Sequence, residues 1–158
     1  MPIAEEPSFM RHLPILILII LLTAGAPLSA SELIEKNSPH AVATVVARLT
    51  TAIEDAGATV FAIIDHTAGA RSVGIDLPAA QVLVFGNPRL GTPAMQDNIR
   101  TGLDLPLRVL VYSDENGDTK VAYHAPDELA EDHQLPADSA YLRKMTGALD
   151  KLTTLAAE

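Results

Sequence analysis

The sequence predicts an α+β domain: a compact sheet containing an antiparallel hairpin, with two long amphipathic helices packed on one face. Three observations carry this expectation. Two stretches, beginning at Val42 and at Tyr141, repeat apolar residues at i, i+3, i+4 and i+7, the stripe of a helix that buries one side. Between them lie short apolar runs of strand length, Thr59 to Asp65, Gln81 to Phe85 and Leu107 to Ser113. Asp114-Glu115-Asn116-Gly117-Asp118 then joins the last of these to Lys120–His124 as a hairpin turn, because Asn-Gly accepts positive φ at both centres.

Taken in order, the chain opens with a segment that reads as an address rather than as structure. Residues Leu13 to Ala26 are almost wholly apolar, follow Arg11 and His12, and precede the small residues Ser29 and Ala30. This is the layout of a secretory signal peptide over residues 1–30, with Met10 as an alternative start because Glu5 and Glu6 do not suit a basic leader. The run is shorter than the ~20 apolar residues that span a bilayer, so cleavage is expected and no stable anchor afterwards; an uncleaved anchor is the alternative. The mature protein is therefore expected to be periplasmic or secreted, a single α+β domain over 31–158.

Composition narrows the partners. The net charge of −9 disfavours nucleic acid and anionic lipid, both of which require basic surface. There is no cysteine, hence no disulfide and no thiolate metal site. With 48% apolar residues but only 4% aromatic, the core must be aliphatic.

Within the mature chain, Glu32 to Lys36 reads as an opening strand. Ser38 then caps a helix with Pro39 at its first position. Its stripe is Val42, Val45, Val46, Leu49, Ala52, Ile53 and Ala56, and Gly57 ends it in the left-handed position. Thr59 to Asp65 is apolar on both faces and is therefore expected to be a central strand. After His66, Thr67 to Val73 allows one helical turn before Gly74 and Leu77-Pro78 break it. Gln81 to Phe85 is the next strand. Thr92 and Pro93 then begin a short helix to Arg100, with Met95 and Ile99 inward. Leu107 to Ser113 is a second strand apolar on both faces. A short polar helix from Asp127 to Glu131 follows the hairpin. Asp138 caps the last helix, whose stripe runs Tyr141, Leu142, Met145, Ala148, Leu149, Leu152 and Leu155.

The most shaped stretch is Phe85-Gly86-Asn87-Pro88-Arg89-Leu90-Gly91-Thr92-Pro93, with two glycines and two prolines in nine residues. Positive φ at Gly86 or Gly91 is expected from such density. Taken with Phe61-Ala62-Ile63-Ile64-Asp65-His66 and with Gly102-Leu103-Asp104-Leu105-Pro106-Leu107-Arg108-Val109-Leu110-Val111-Tyr112, it resembles the domain of unknown function family 302. The spacing, Gly117, and Tyr123-His124-Ala125-Pro126 fit as well. The resemblance covers roughly Glu32 to Leu155. It implies a compact α+β domain and the option of a homodimer, and it brings no catalytic assignment.

Candidate chemistry is sparse. His40, His66, His124 and His133 show no spacing of a known zinc motif, so no metal and no cofactor are expected. Asp104 and Arg108 are spaced to pair on the surface. The Gly86 to Gly91 turn leads from a strand into a helix and suits an anion or small ligand, although Pro88 and Pro93 remove two donors. The ligand-binding candidates are His66, Asn87 and Arg89: two residues just past apolar strands, and the one fixed charge of the turn. Their cooperation requires that the two strand ends share an edge; antiparallel pairing would separate them. The functional expectation is an exported, non-enzymatic module that binds a small ligand or an envelope protein. The alternative is a small hydrolase or isomerase using Asp65, His66 and Asn87.

Overall fold

The computed structural model describes residues 33 to 158, so the expected signal segment over 1–30 lies outside the described residues. The described chain runs β1 (Leu33–Ser38), α1 (Val42–Asp55), β2 (Thr59–Asp65), α2 (His66–Ser72), β3 (Ala80–Gly86) and α3 (Pro88–Asp97). A 3-10 turn (Ile99–Leu103) follows, then β4 (Leu107–Ser113), β5 (Thr119–His124), α4 (Asp127–His133) and α5 (Ala140–Ala157). Five strands form one sheet in the order β1-β5-β4-β3-β2, and every neighbouring pair is antiparallel. The expected α+β class is what the molecule adopts. Among the described residues no helix is long and apolar enough to cross a membrane.

One face of the sheet carries the helices. Leu83, Phe85, Val109, Val111, Val121 and Tyr123 point the same way through the pleat and meet α1 and α5, which also pack on each other. From α1 come Val45, Leu49 and Ile53, all fully buried; from α5 come Leu149, Leu152 and Ala156. Each such aliphatic side chain contributes on the order of 1.5–3 kcal/mol by leaving water. A second cluster, Ala94, Leu129, Leu135, Leu142 and Met145, ties α3 and α4 to the start of α5. The two expected helical stripes are therefore the core, except at Ala56, which is exposed past the end of α1, and at Leu155, which is 48% exposed while Ala156 turns inward.

Several local expectations are corrected. Helix α1 begins three residues past Pro39, after Ala41, and Ser38 does not cap it. The Ser38 hydroxyl instead donates to the Ala157 carbonyl at 2.7 Å, joining β1 to the end of α5. Helix α3 starts at Pro88 rather than Pro93, because the Asn87 side chain accepts the Arg89 N–H and so supplies an earlier cap. Ile99 then falls outside that helix and is 76% exposed. Ser139, not Asp138, caps α5. Gly57 is left-handed as expected, at φ 72°. In the hairpin, Gly117 has positive φ but Asn116 does not, because the Asp114 carboxylate takes the N–H groups of Asn116 and Asp118 and shapes a longer loop.

The largest correction concerns β2. Its apolar composition predicts a central strand, yet it closes the sheet at an edge. Phe61, Ile63 and Ile64 are 57%, 46% and 47% exposed. Val60 packs against the core, while the rest of the strand stays exposed.

Candidate functional site

The ends of β3 and β4, the turn after β3, and helices α1, α3 and α5 enclose a cavity of about 260 Å³. Phe85 and Gly86 bring the chain to its rim and Pro88 starts α3 there. Leu90, Gly91 and Met95 line it from α3, Leu105 and Pro106 from the loop before β4, and Met145, Ala148 and Leu152 from α5. Phe61 closes the edge side. It is the extra residue of a β-bulge, since the register with β3 shifts between Val60 and Ala62.

The glycines of the turn serve this cavity by being small. Neither Gly86 nor Gly91 has positive φ; among the described glycines that conformation occurs at Gly57, Gly74 and Gly117. A Cβ on Gly86 would lie 3.4 Å from the Pro106 Cβ and 3.5 Å from the Phe61 ring. A Cβ on Gly91 would meet the Leu105 side chain at 3.5 Å. The expectation of left-handed turn glycines therefore fails for a physical reason: residue 86 is still strand and residue 91 is already helix.

Of the expected site residues, Asn87 and Arg89 stay together and His66 is separated from them. Strands β2 and β3 run antiparallel, with Thr59 opposite Gly86 and Asp65 opposite Gln81. Asn87 thus lies beside the start of β2 and His66 beyond its end. Asn87 lines the cavity mouth and uses both ends of its amide: the oxygen accepts the Arg89 N–H at 2.9 Å, and the nitrogen donates to the Gly57 carbonyl at 3.1 Å. Arg89 is exposed and is not part of the lining. Asp65 caps α2 by accepting the Ala68 N–H and also accepts from Gln81. Those bonds, the Ala68 one foremost, hold its carboxyl below the usual range. Asp65, His66 and Asn87 consequently do not converge.

Two of the other hollows lie against α1, α4 and α5. The larger, about 640 Å³, is a furrow between the outward sides of α1 and α5, flanked by Arg48, Asp55 and Lys151. It faces solvent and gathers no converging polar groups. The other, about 280 Å³, lies where β4 and β5 meet α4, beside Asp104, Arg108, His124 and Glu128. Here Arg108 approaches Asp104 at 3.7 Å as its spacing predicts, with both side chains more than a third exposed. The same carboxylate also meets His133 Nε2 at 2.6 Å, a pairing across 29 residues that no local pattern signals. His124 meets Glu128 at 3.3 Å. Among the described residues no group of three or more side chains is arranged to hold a metal ion.

Comparison with known proteins adds the family. Residues 34–152 match the family described as Domain of unknown function DUF302. Proteins named Fluoride-specific ion channel FluC 1, from Brucella suis biovar 1, and FluC 2, from Brucella melitensis biotype 1, are each 38% identical over 119 residues, 74% of this chain. That segment makes up 47% and 44% of those relatives, so the chain spans less than half the length of the curated proteins it matches. A crystal structure of an uncharacterized conserved protein DUF302 from Bacillus stearothermophilus has the same fold, with a TM-score of 0.65 at 21% identity. The likeness covers 79% of this chain and 94% of that one.

Proposed function

The chain belongs to the DUF302 family, and on that premise we propose that it is a non-enzymatic binding module of the cell envelope whose ligand is a small, neutral, apolar molecule. The ligand occupies the cavity behind the Gly86-Asn87-Pro88 turn. One observation supports this above others: none of the described residues lining the cavity is ionisable, and among them Asn87 and Thr92 are the only polar side chains. A slot of aliphatic, aromatic and thioether surface favours apolar shapes, and Met95 and Met145 adapt to them. An anion would lose its hydration there and find no cation in return. The fluoride specificity in the names of the Brucella relatives is for that reason not extended to this pocket. A hydrolase or isomerase built on Asp65, His66 and Asn87 would need those groups to meet across the length of β2.

The test uses N-phenyl-1-naphthylamine, a neutral probe that brightens in apolar surroundings. The protein is expected to enhance its emission and to melt at higher temperature in its presence, by mass action on the folded state. Gly91→Leu is expected to abolish both effects, since the new side chain enters the cavity with only an ordinary contact at its Cβ. A probe that never brightens, or that binds wild type and Gly91→Leu equally, overturns the assignment.

We also assign the protein to the periplasm or the exterior, on the apolar core from Leu13 to Ala26 and the small residues ending at Ala30. N-terminal sequencing of the envelope fraction is expected to start near Ser31. An intact leader in the membrane pellet would replace this with an anchored form.

A further inference from the structure

We infer that the furrow between α1 and α5 is the second half of the ligand site, and that the ligand is a single-chain neutral amphiphile. Its apolar end fills the cavity behind the Gly86-Asn87-Pro88 turn, and its polar end lies along the furrow. The inference rests on the binding function proposed above and narrows the class of ligand.

The two hollows adjoin. Ala56 at the end of α1, and Ala148 and Leu152 on α5, border both of them. Two of these three are alanines, so little side-chain bulk stands between cavity and furrow. The cavity alone, at about 260 Å³, falls short of the ~300–1,000 Å³ of common ligand sites. The furrow offers about 640 Å³ more open space beside it.

Shape selects a chain. From Ala47 to Asp55 the furrow follows α1 for about 12 Å of helix axis. Its α1 side is made of small groups, Ala47, Thr51 and Ala52, and Leu155 borders it from α5. Leu155 is the large apolar residue that departs from the buried stripe of α5 and stays 48% exposed. A hydrocarbon laid in the furrow covers it. A trough of this length beside a compact apolar slot fits an extended molecule rather than a ring system.

Charge selects a neutral head. The Arg48 guanidinium is already committed: it meets His40 Nε2 at 2.8 Å and donates to the Leu155 carbonyl at 3.1 Å. Asp55 opposes Lys151 in sign, and the chain as a whole carries −9, so an anionic head gains little here. A hydroxyl keeps its water in the open furrow and exchanges hydrogen bonds with Thr51, Asp55 or Lys151 as it finds them.

The experiment is displacement of N-phenyl-1-naphthylamine by octanol and by dodecanol, each kept below its solubility limit. A CH₂ group that leaves water completely tightens binding by about fourfold. Since the furrow is half open, dodecanol is expected to compete roughly tenfold better than octanol in wild type. Thr51 and Ala47 are exposed and border the furrow without bordering the cavity. Thr51→Phe is therefore expected to remove the advantage of the longer alcohol while octanol and the naphthylamine bind as before. Should Thr51→Phe fail to fold, Ala47→Phe makes the same test one turn away. Dodecanoate is expected to compete no better than dodecanol. Failure of the naphthylamine to bind wild type overturns the cavity and this inference together. If it binds but the two alcohols compete equally, or if both furrow variants keep the gain, the furrow is overturned and the cavity stands. Tighter binding of dodecanoate overturns the neutral head.

Discussion

Strands β1 and β2 both end the sheet, but β1 is tied to the body on each of its faces whereas β2, past the packing of Val60 and Phe61 at its start, rests on its ladder to β3 and one polar contact at its end. On the helix side, the Lys36 ammonium reaches the Asp150 carboxylate and carbonyl, each at 2.7 Å, and the Thr154 hydroxyl. On the open side, Tyr112 donates from β4 to Glu35, passing over Ala122, the small β5 residue between them. Lys120 likewise donates to Asn37 at 2.7 Å. Charges and polar ties of this kind keep an edge from recruiting another chain. On β2, the corresponding positions hold Ala62, Ile63 and Ile64, and its side-chain tie is that of Asp65 to Gln81 at its far end. The difference teaches that described side chains fasten one edge on both faces and leave the middle of the other to its ladder.

The largest expected effect sets a buried strand against its exposed neighbour. Leu83 and Ile63 are register partners on the same face, one fully buried and the other 46% exposed. Leu83→Ala is expected to cost about 2–5 kcal/mol in denaturant unfolding. Ile63→Ala should cost under about 1 kcal/mol, because nearly half of the residue is already in contact with water. Equal costs would erase the distinction between a core strand and a bare edge.

A smaller effect belongs to β1. Lys36→Met removes its ties to α5, but the Asp150 side chain is 71% exposed and solvent screens the pair. About 0.5–1 kcal/mol is expected at low salt, shrinking as salt is added. Urea unfolding at two ionic strengths measures it, and an unchanged midpoint in both would mean that the Lys36 ties do not secure this edge.

The smallest effect is spectroscopic. The hydrogen bond to Glu35, with burial and the carboxylate charge behind it, raises the Tyr112 phenol to about 12. A raised folded-state value means that its contribution is fully present below the unfolded value near 10 and is lost as pH rises toward about 12. Burial and the bond to Asp97 also raise Tyr141, so in an absorbance titration the late-ionising fraction of wild type should shrink, but not vanish, in Glu35→Gln. An identical curve in the variant would show that Glu35 does not hold this phenol.

Much of the fold was legible because periodicity reports burial directly. The α1 stripe from Val42 to Ile53 and the α5 stripe from Leu142 to Leu152 are buried as their spacing requires. The position of β2 was not legible, since apolar composition states that a strand is covered and not by what. At the site, the turn could be found from its glycines and prolines, but their purpose could not. Gly86 is small to admit Phe61 and Pro106, which are distant in sequence. Separating His66 from Asn87 depended on strand direction, which neither strand encodes alone. The contact of Asp104 with His133 arises only when α4 folds back beside the 3-10 turn.

Asn87 has a consequence for rates rather than for affinity. Its amide fastens the end of α1, through the Gly57 carbonyl, to the first turn of α3, and it does so at the mouth of the cavity. If the proposed ligand enters beside Asn87, the resistance it meets there is a pair of hydrogen bonds each worth about 1 kcal/mol net. A fastening of this strength would open often, so a ligand of the proposed kind would exchange quickly. With the fastening gone, as in Asn87→Ala, entry and exit should quicken together by several-fold while their ratio scarcely moves. Stopped-flow traces with the naphthylamine probe would record both, and a change confined to exit would make Asn87 a ligand contact in place of a gate.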